Sequence, residues 1–119
     1  MDTLLRGGTL VTLDAQRRVL VGDLRISGNT ITEVGTQLAA RGPTRIVELH
    51  GKVVIPGLIQ AHIHLCQTLF RNRADGLELL DWLKQRIWPF EAAHDEQSMK
   101  ASAELGIAEL LLGGTTSIL

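Results

Sequence analysis

From Gly51 onward the chain changes grammar. An apolar run, Val53-Val54-Ile55-Pro56-Gly57-Leu58-Ile59, is followed by helical periodicity and then, after Gly113-Gly114, by a second β-type run, Thr115-Thr116-Ser117-Ile118-Leu119. Strand, helices and strand in that order are the pattern of a β/α unit with parallel strands. Parallel strands are covered by helices on both faces, and one unit cannot bury both faces of its own strands. The pattern therefore predicts a place in a larger α/β fold. At 119 residues the chain is far short of the ~250 that a closed eight-stranded α/β barrel needs. It also stops on Leu119, inside its last strand, and is expected to be the first part of something longer.

Within this half, Pro56-Gly57 marks a break before a strand segment from Leu58 to His64. Leu77 to Ile87 reads as a helix that Pro89 stops. Asp95 is the expected N-cap of a second helix, with Met99, Ala103, Ile107, Leu110 and Leu111 on its apolar face and Gly113-Gly114 at its end. All four aromatic residues, Phe70, Trp82, Trp88 and Phe90, fall in one stretch, which suggests a segment that covers a pocket or packs a helix onto its neighbours.

The first fifty residues differ. Short β-rich runs, Thr9 to Leu13, Val19 to Val21, Asp23 to Ile26 and Thr30 to Val34, are separated by polar turns, and Ser27-Gly28-Asn29 is a hairpin signal. They predict a small antiparallel sheet. Gln37 to Thr44 reads as a loop, and Arg45 to Leu49 resumes a β pattern out of strict phase. The expected domains are thus a small β-domain over 1–52 and the start of an α/β barrel over 53–119.

Composition narrows the function classes. A net charge of -1 with 45% hydrophobic residues describes a soluble, globular chain and offers no electrostatic handle for nucleic acid or anionic lipid. The N-terminus carries no basic leader, and no run reaches the ~20 apolar residues of a membrane span. One cysteine, Cys66, rules out an intrachain disulfide framework and suits a reducing compartment, so a cytoplasmic location is expected.

The chemistry concentrates at His62-Ile63-His64. On a strand, residues two apart project from one face with Cα atoms about 6.5 Å apart, so both imidazoles can reach one metal ion. Alternatively they are two hydrogen-bonded histidines near a strand end. They lie at the C-terminal end of an apolar strand, where α/β barrels carry their active sites.

In Ile55-Pro56-Gly57-Leu58-Ile59-Gln60-Ala61-His62-Ile63-His64 the chain resembles the first barrel strand of the amidohydrolase superfamily, which writes Pro-Gly, an apolar pair, two variable residues and His-x-His. Further on, His64 to Arg71, Asp81-Trp82-Leu83, Trp88-Pro89-Phe90-Glu91 and Gly113-Gly114-Thr115-Thr116 are similar to the branch that contains methylthioadenosine/S-adenosylhomocysteine deaminases, guanine-type deaminases and triazine chlorohydrolases.

That resemblance implies a small β-sandwich portion followed by the first β/α unit of a truncated TIM (β/α)8 barrel. It implies His62 and His64 as the first two ligands of one divalent metal, zinc or iron, which makes bound water acidic enough to attack an aminated heterocycle with release of ammonia. It further implies Glu91 as a contact to ribose hydroxyls, with Gln67 and Trp82 lining the substrate pocket; the alternatives are a solvated carboxylate, a polar loop residue and a packing residue. The aspartate, further histidines and proton-transferring glutamate of the family have no counterpart here, so no catalytic acid or base is assigned and the chain alone is expected to be inactive. The parent enzyme is expected to be a homo-oligomer acting on a small heterocycle. The competing readings are a cyclic amidase or triazine hydrolase of the same superfamily, and a non-catalytic remnant used as a scaffold. Ala61, where cyclic amidases often carry Asp, removes one of their cues. Cys66, with no second cysteine beside it, is not read as a ligand, and His50 and His94 belong to no motif.

Overall fold

The computed structural model describes residues 1–73 and 76–119. They form two compact units, Met1–Pro56 and Gly57–Leu119.

The first unit is a five-stranded sheet in the order β3-β2-β1-β4, with β5 also on β1. Its strands are β1 (Asp2–Val11), β2 (Val19–Ser27), β3 (Thr30–Gly35), β4 (Thr44–Glu48) and β5 (Val53–Val54). The hairpin signal is realised: β2 and β3 pair antiparallel, and Gly28 takes a positive φ of 58° between them. The sheet is mixed, however, and not the antiparallel sheet expected. β1 is antiparallel to β2 but parallel to both β4 and β5, which follow one another along its other edge. The two runs around Gly22 are one strand, in which a Cβ at Gly22 would come within 2.5 Å of the Gly35 carbonyl oxygen.

Leu4, Leu10 and Leu24 form the core of this sheet. Beside them two charged residues are buried with most of their polar atoms paired by neighbours, while Arg25 Nη1 makes no hydrogen bond and lies 3.6 Å from the Asp2 carboxylate. Asp23 accepts the backbone N–H groups of Gly7 at 2.9 Å and Leu38 at 2.8 Å, one carboxylate oxygen for each. Gly7 sits at a β-bulge with a positive φ of 72°, so Asp23 satisfies a donor that the ladder leaves out. Arg25 donates to Glu33 at 2.9 Å and to the Ala39 carbonyl at 2.5 Å. Together the pair fastens Leu38 and Ala39 to the sheet.

The apolar run 53–59 is divided between the units and is not one strand buried on both faces. Val53 and Val54 pair with β1, whereas β6 (Leu58–Gln60) pairs in parallel with β7 (Thr115–Ile118). With one neighbour each, these strands leave Val53 62% and Ile59 76% exposed.

In the second unit β6 is followed by a 3-10 helix (Leu65–Phe70), α1 (Leu79–Trp82), a π-helical turn (Leu83–Ile87), α2 (Trp88–Ala92), α3 (Glu96–Leu112) and β7. Pro89 does not end the helix expected at 77–87. It occupies the first turn of α2, directly after the π-helical turn, where its missing N–H needs no partner.

α3 starts as expected. Asp95 caps it through a reciprocal capping box with Ser98, whose backbone N–H donates to Asp95 Oδ1 at 2.8 Å. Its buried stripe is not the apolar one. Ser102 and Gly106 are buried, while Met99, Ile107 and Leu111 are exposed by 41%, 41% and 65%. Small residues one turn apart let the 3-10 helix approach closely: a Cβ on Gly106 would meet Thr68 Oγ1 at 2.8 Å and Leu65 Cδ2 at 2.9 Å.

Candidate active site

The strand that leads to the histidines is shorter than the sequence suggests. β6 ends at Gln60, so His62 lies in a bend and His64 is the residue preceding the 3-10 helix. The strict alternation expected of Leu58 to His64 is absent, yet the imidazoles still converge. His62 Nε2 and His64 Nε2 are 3.0 Å apart, and their rings meet edge to face with centroids 5.0 Å apart.

That separation suits one N–H···N hydrogen bond between the rings. It equally suits shared ligation, since two nitrogens about 2.0–2.1 Å from one zinc ion, at angles between a right angle and the tetrahedral value, lie roughly 2.8–3.4 Å apart. Both side chains are exposed. Among the described residues no group of three or more His, Cys, Asp or Glu side chains could hold a metal ion. Two imidazole nitrogens at this spacing fit a zinc-type ion but fall short of the three protein ligands a catalytic zinc normally has.

The 3-10 helix carries the next residues. Its Gln67 N–H donates to the His64 carbonyl at 3.1 Å, coupling it directly to the histidine loop. Gln67 Nε2 donates to Glu91 Oε1 at 2.9 Å, and the Cys66 thiol lies 3.5 Å from the same oxygen. Burial, and then the Glu91 carboxylate, push the Cys66 thiol above its ordinary pKa, so the sulfur keeps its proton and acts as a donor. The structure therefore brings Gln67 and Glu91 together. Trp82 is half-buried and lines a pocket of about 220 Å³ with Gln67, Phe70, Arg71, Asn72, Arg73 and Ile87. A second, more open concavity of about 470 Å³ is lined by His64 and Gln67 among others. Gln67 borders both.

The residues that hold this arrangement were not evident in the sequence. Ser102, fully buried, donates to the Leu65 carbonyl at 2.8 Å, lies 3.1 Å from the Cys66 carbonyl and accepts from the Leu69 N–H at 3.3 Å. His94 donates from Nε2 to the Cys66 carbonyl at 2.7 Å, and its Nδ1 lies 3.0 Å from Ser98 Oγ. Its ring packs at 5.7 Å from Phe70, which in turn stacks at 5.1 Å on Phe90. The aromatic cluster thus fastens the 3-10 helix to α2. The available signal was two small residues, Ser102 and Gly106, one turn apart on the same helix.

Residues 53–119 match the sequence model of the amidohydrolase family. The chain is 37% identical to a 5-methylthioadenosine/S-adenosylhomocysteine deaminase of Caldicellulosiruptor saccharolyticus, over 98% of its own length and 28% of that protein's. It is 34% identical to a 5'-deoxyadenosine deaminase of Methanobrevibacter smithii, over 98% of its own length and 27% of that protein's. Among solved structures it superposes on the atrazine chlorohydrolase of Arthrobacter aurescens complexed with zinc, with a TM-score of 0.86 and 30% identity over 98% of this chain and 28% of that one. The chain thus spans little more than a quarter of the length of the relatives it matches. With the family match covering its whole β/α half and the histidine pair inside it, the chain belongs to the amidohydrolase family.

Proposed function

We propose that the protein carrying this chain is a metal-dependent aminohydrolase that releases ammonia from an aminated purine nucleoside or a related heterocycle. The observation that carries this reading is the 3.0 Å approach of His62 Nε2 to His64 Nε2, one turn before a glutamine already bonded to Glu91. In this reading residues 1–52 belong to a composite β-sandwich, and 53–119 open the catalytic barrel.

His62 and His64 would hold one divalent metal. Imidazoles suit both zinc and iron, and zinc is preferred because the atrazine chlorohydrolase was solved with it. When bound, such an ion supplies water acidic enough to act as a nucleophile near neutral pH. This chain's own residues do the rest of the local work. Glu91 accepts hydrogen bonds from ligand hydroxyls, Trp82 walls the pocket with an apolar ring, and Gln67 borders the cavity between them. The proton-transferring groups are supplied from outside these residues.

Triazine hydrolysis is the second reading, favoured by the likeness to the triazine hydrolases at 29–30% identity. Glu91 discriminates the two. In the protein made from its complete reading frame, Glu91→Ala should raise KM for adenine nucleosides by roughly tenfold or more, the value of a hydrogen bond to a charged group, while triazines and free bases are unaffected. Equal loss on all substrates would remove the nucleoside reading. No helix among the described residues is long and apolar enough to cross a membrane. A cytoplasmic, homo-oligomeric enzyme accords with the family reading, and sedimentation of the purified protein tests the assembly.

A further inference from the structure

Two consecutive residues of the 3-10 helix meet at one atom. Gln67 Nε2 and Cys66 Sγ both approach Glu91 Oε1, at 2.9 and 3.5 Å. Among the described residues no protein group is hydrogen-bonded to Oε2. Ordering a glutamate side chain in one rotamer costs conformational freedom, so a carboxylate on a short, partly exposed helix needs partners to stay in place.

Those partners stand on a braced platform. The Cys66 carbonyl is held from two sides, by His94 Nε2 at 2.7 Å and by Ser102 Oγ at 3.1 Å, and Ser102 also holds Leu65 and Leu69. The platform follows His64 directly and is bonded to it through the Gln67 N–H. The path from the histidine pair to Glu91 is therefore one continuous set of hydrogen bonds within a single compact unit.

Chemistry fixes the sense of the amide. A carboxylate only accepts, so Gln67 must turn its NH₂ toward Glu91 and its carbonyl away from it. Gln67 then spends a donor on Glu91 that a heterocycle would otherwise take, and Glu91 is left with one oxygen whose direction is set.

We infer that Gln67 is a positioning residue for Glu91: it anchors Oε1 so that Oε2 is the acceptor offered to a ligand hydroxyl, and the pair selects hydroxyl-bearing ligands over bare heterocycles. This rests on the reading of Glu91 as a ligand contact, and it gives Gln67, until here only a residue lining the pocket, a definite task.

The test uses the protein made from its complete reading frame and two measurements. The first is a crystal structure of Gln67→Met, a variant of similar length without the donor; Gln67→Leu serves if methionine is not accommodated. The Glu91 carboxylate should leave its place or spread over several rotamers, and a carboxylate unmoved from its wild-type position overturns the proposal. The second is a double-mutant cycle read with adenosine and with adenine. Gln67→Met should raise KM for adenosine about tenfold and by a clearly larger factor than for adenine, and Gln67→Met combined with Glu91→Ala should be no worse on adenosine than Glu91→Ala alone. Effects that multiply in the double variant overturn the proposal, because Gln67 would then contact the ligand independently. A Glu91→Ala variant that treats adenosine and adenine alike sinks the nucleoside reading instead, and the crystallographic measurement still decides whether Gln67 positions Glu91.

Discussion

Ser102 hides a large share of the local order behind one hydroxyl. It serves two carbonyls and one N–H of the 3-10 helix and is fully buried. Ser102→Ala should destabilise the protein by about 1–3 kcal/mol, the cost of leaving buried groups unpaired, as read by denaturant unfolding. Gly106→Ala gains helix propensity but drives a methyl into Thr68 and Leu65. The clash should win, for a net loss of about 1–2 kcal/mol in the same assay. Neither residue announces itself in sequence, because a small residue on a helix becomes informative only once its neighbour is known. The histidine pair was legible for the opposite reason: its chemistry is carried by residue type, and the rings converge even though the strand ends at Gln60 and does not run on to His64.

At the scale of elements, alternation revealed the strands but not their directions. β4 and β5 read as ordinary β segments, and only the pairing shows them parallel to β1, since side-chain period is the same in both kinds of ladder. Pro89 was misleading because the signal for a helix stop and the signal for a first helical turn are the same residue. Asp95 was read correctly, since a cap is a local arrangement. Two carboxylates also give these elements a pH dependence. The Ser98 N–H holds Asp95 below the usual carboxylate range, and the Arg25 guanidinium does the same for Glu33. A carboxyl whose folded pKa is depressed stabilises the fold above its ordinary pKa and loses that contribution as pH falls through the depressed value. Unfolding midpoints should therefore decline below about pH 4, and less steeply in Asp95→Asn, which keeps a capping oxygen without the titration. The approach of β6 to β7 depends on Gly57, whose Cβ would overlap Thr116. Gly57→Val should separate the pair, seen as lost amide protection at Leu58 and Leu119, whose N–H groups bond to Gly114 and Gln60.

At the scale of the whole molecule, two compact units are joined at Pro56-Gly57, and the second carries every residue of the candidate site. Its exposed apolar residues, Ile59, Leu111 and Leu112 among them, are what a single β/α unit must leave uncovered. The family was readable because His-x-His, Glu91 and the Gly-Gly-Thr-Thr segment follow one another in order along the chain. The substrate was not, because pocket shape depends on side chains from many elements. The central claim is that His62 and His64 hold the metal on which hydrolysis depends. The most direct measurement is metal content together with ammonia release from adenosine, on the protein made from its complete reading frame and on His62→Ala and His64→Ala. The account predicts about one zinc per chain in the unaltered protein, and in each variant loss of most of that metal with turnover reduced at least 1,000-fold, of the order expected when the activated water is removed. Variants that keep both the metal and the turnover would contradict it.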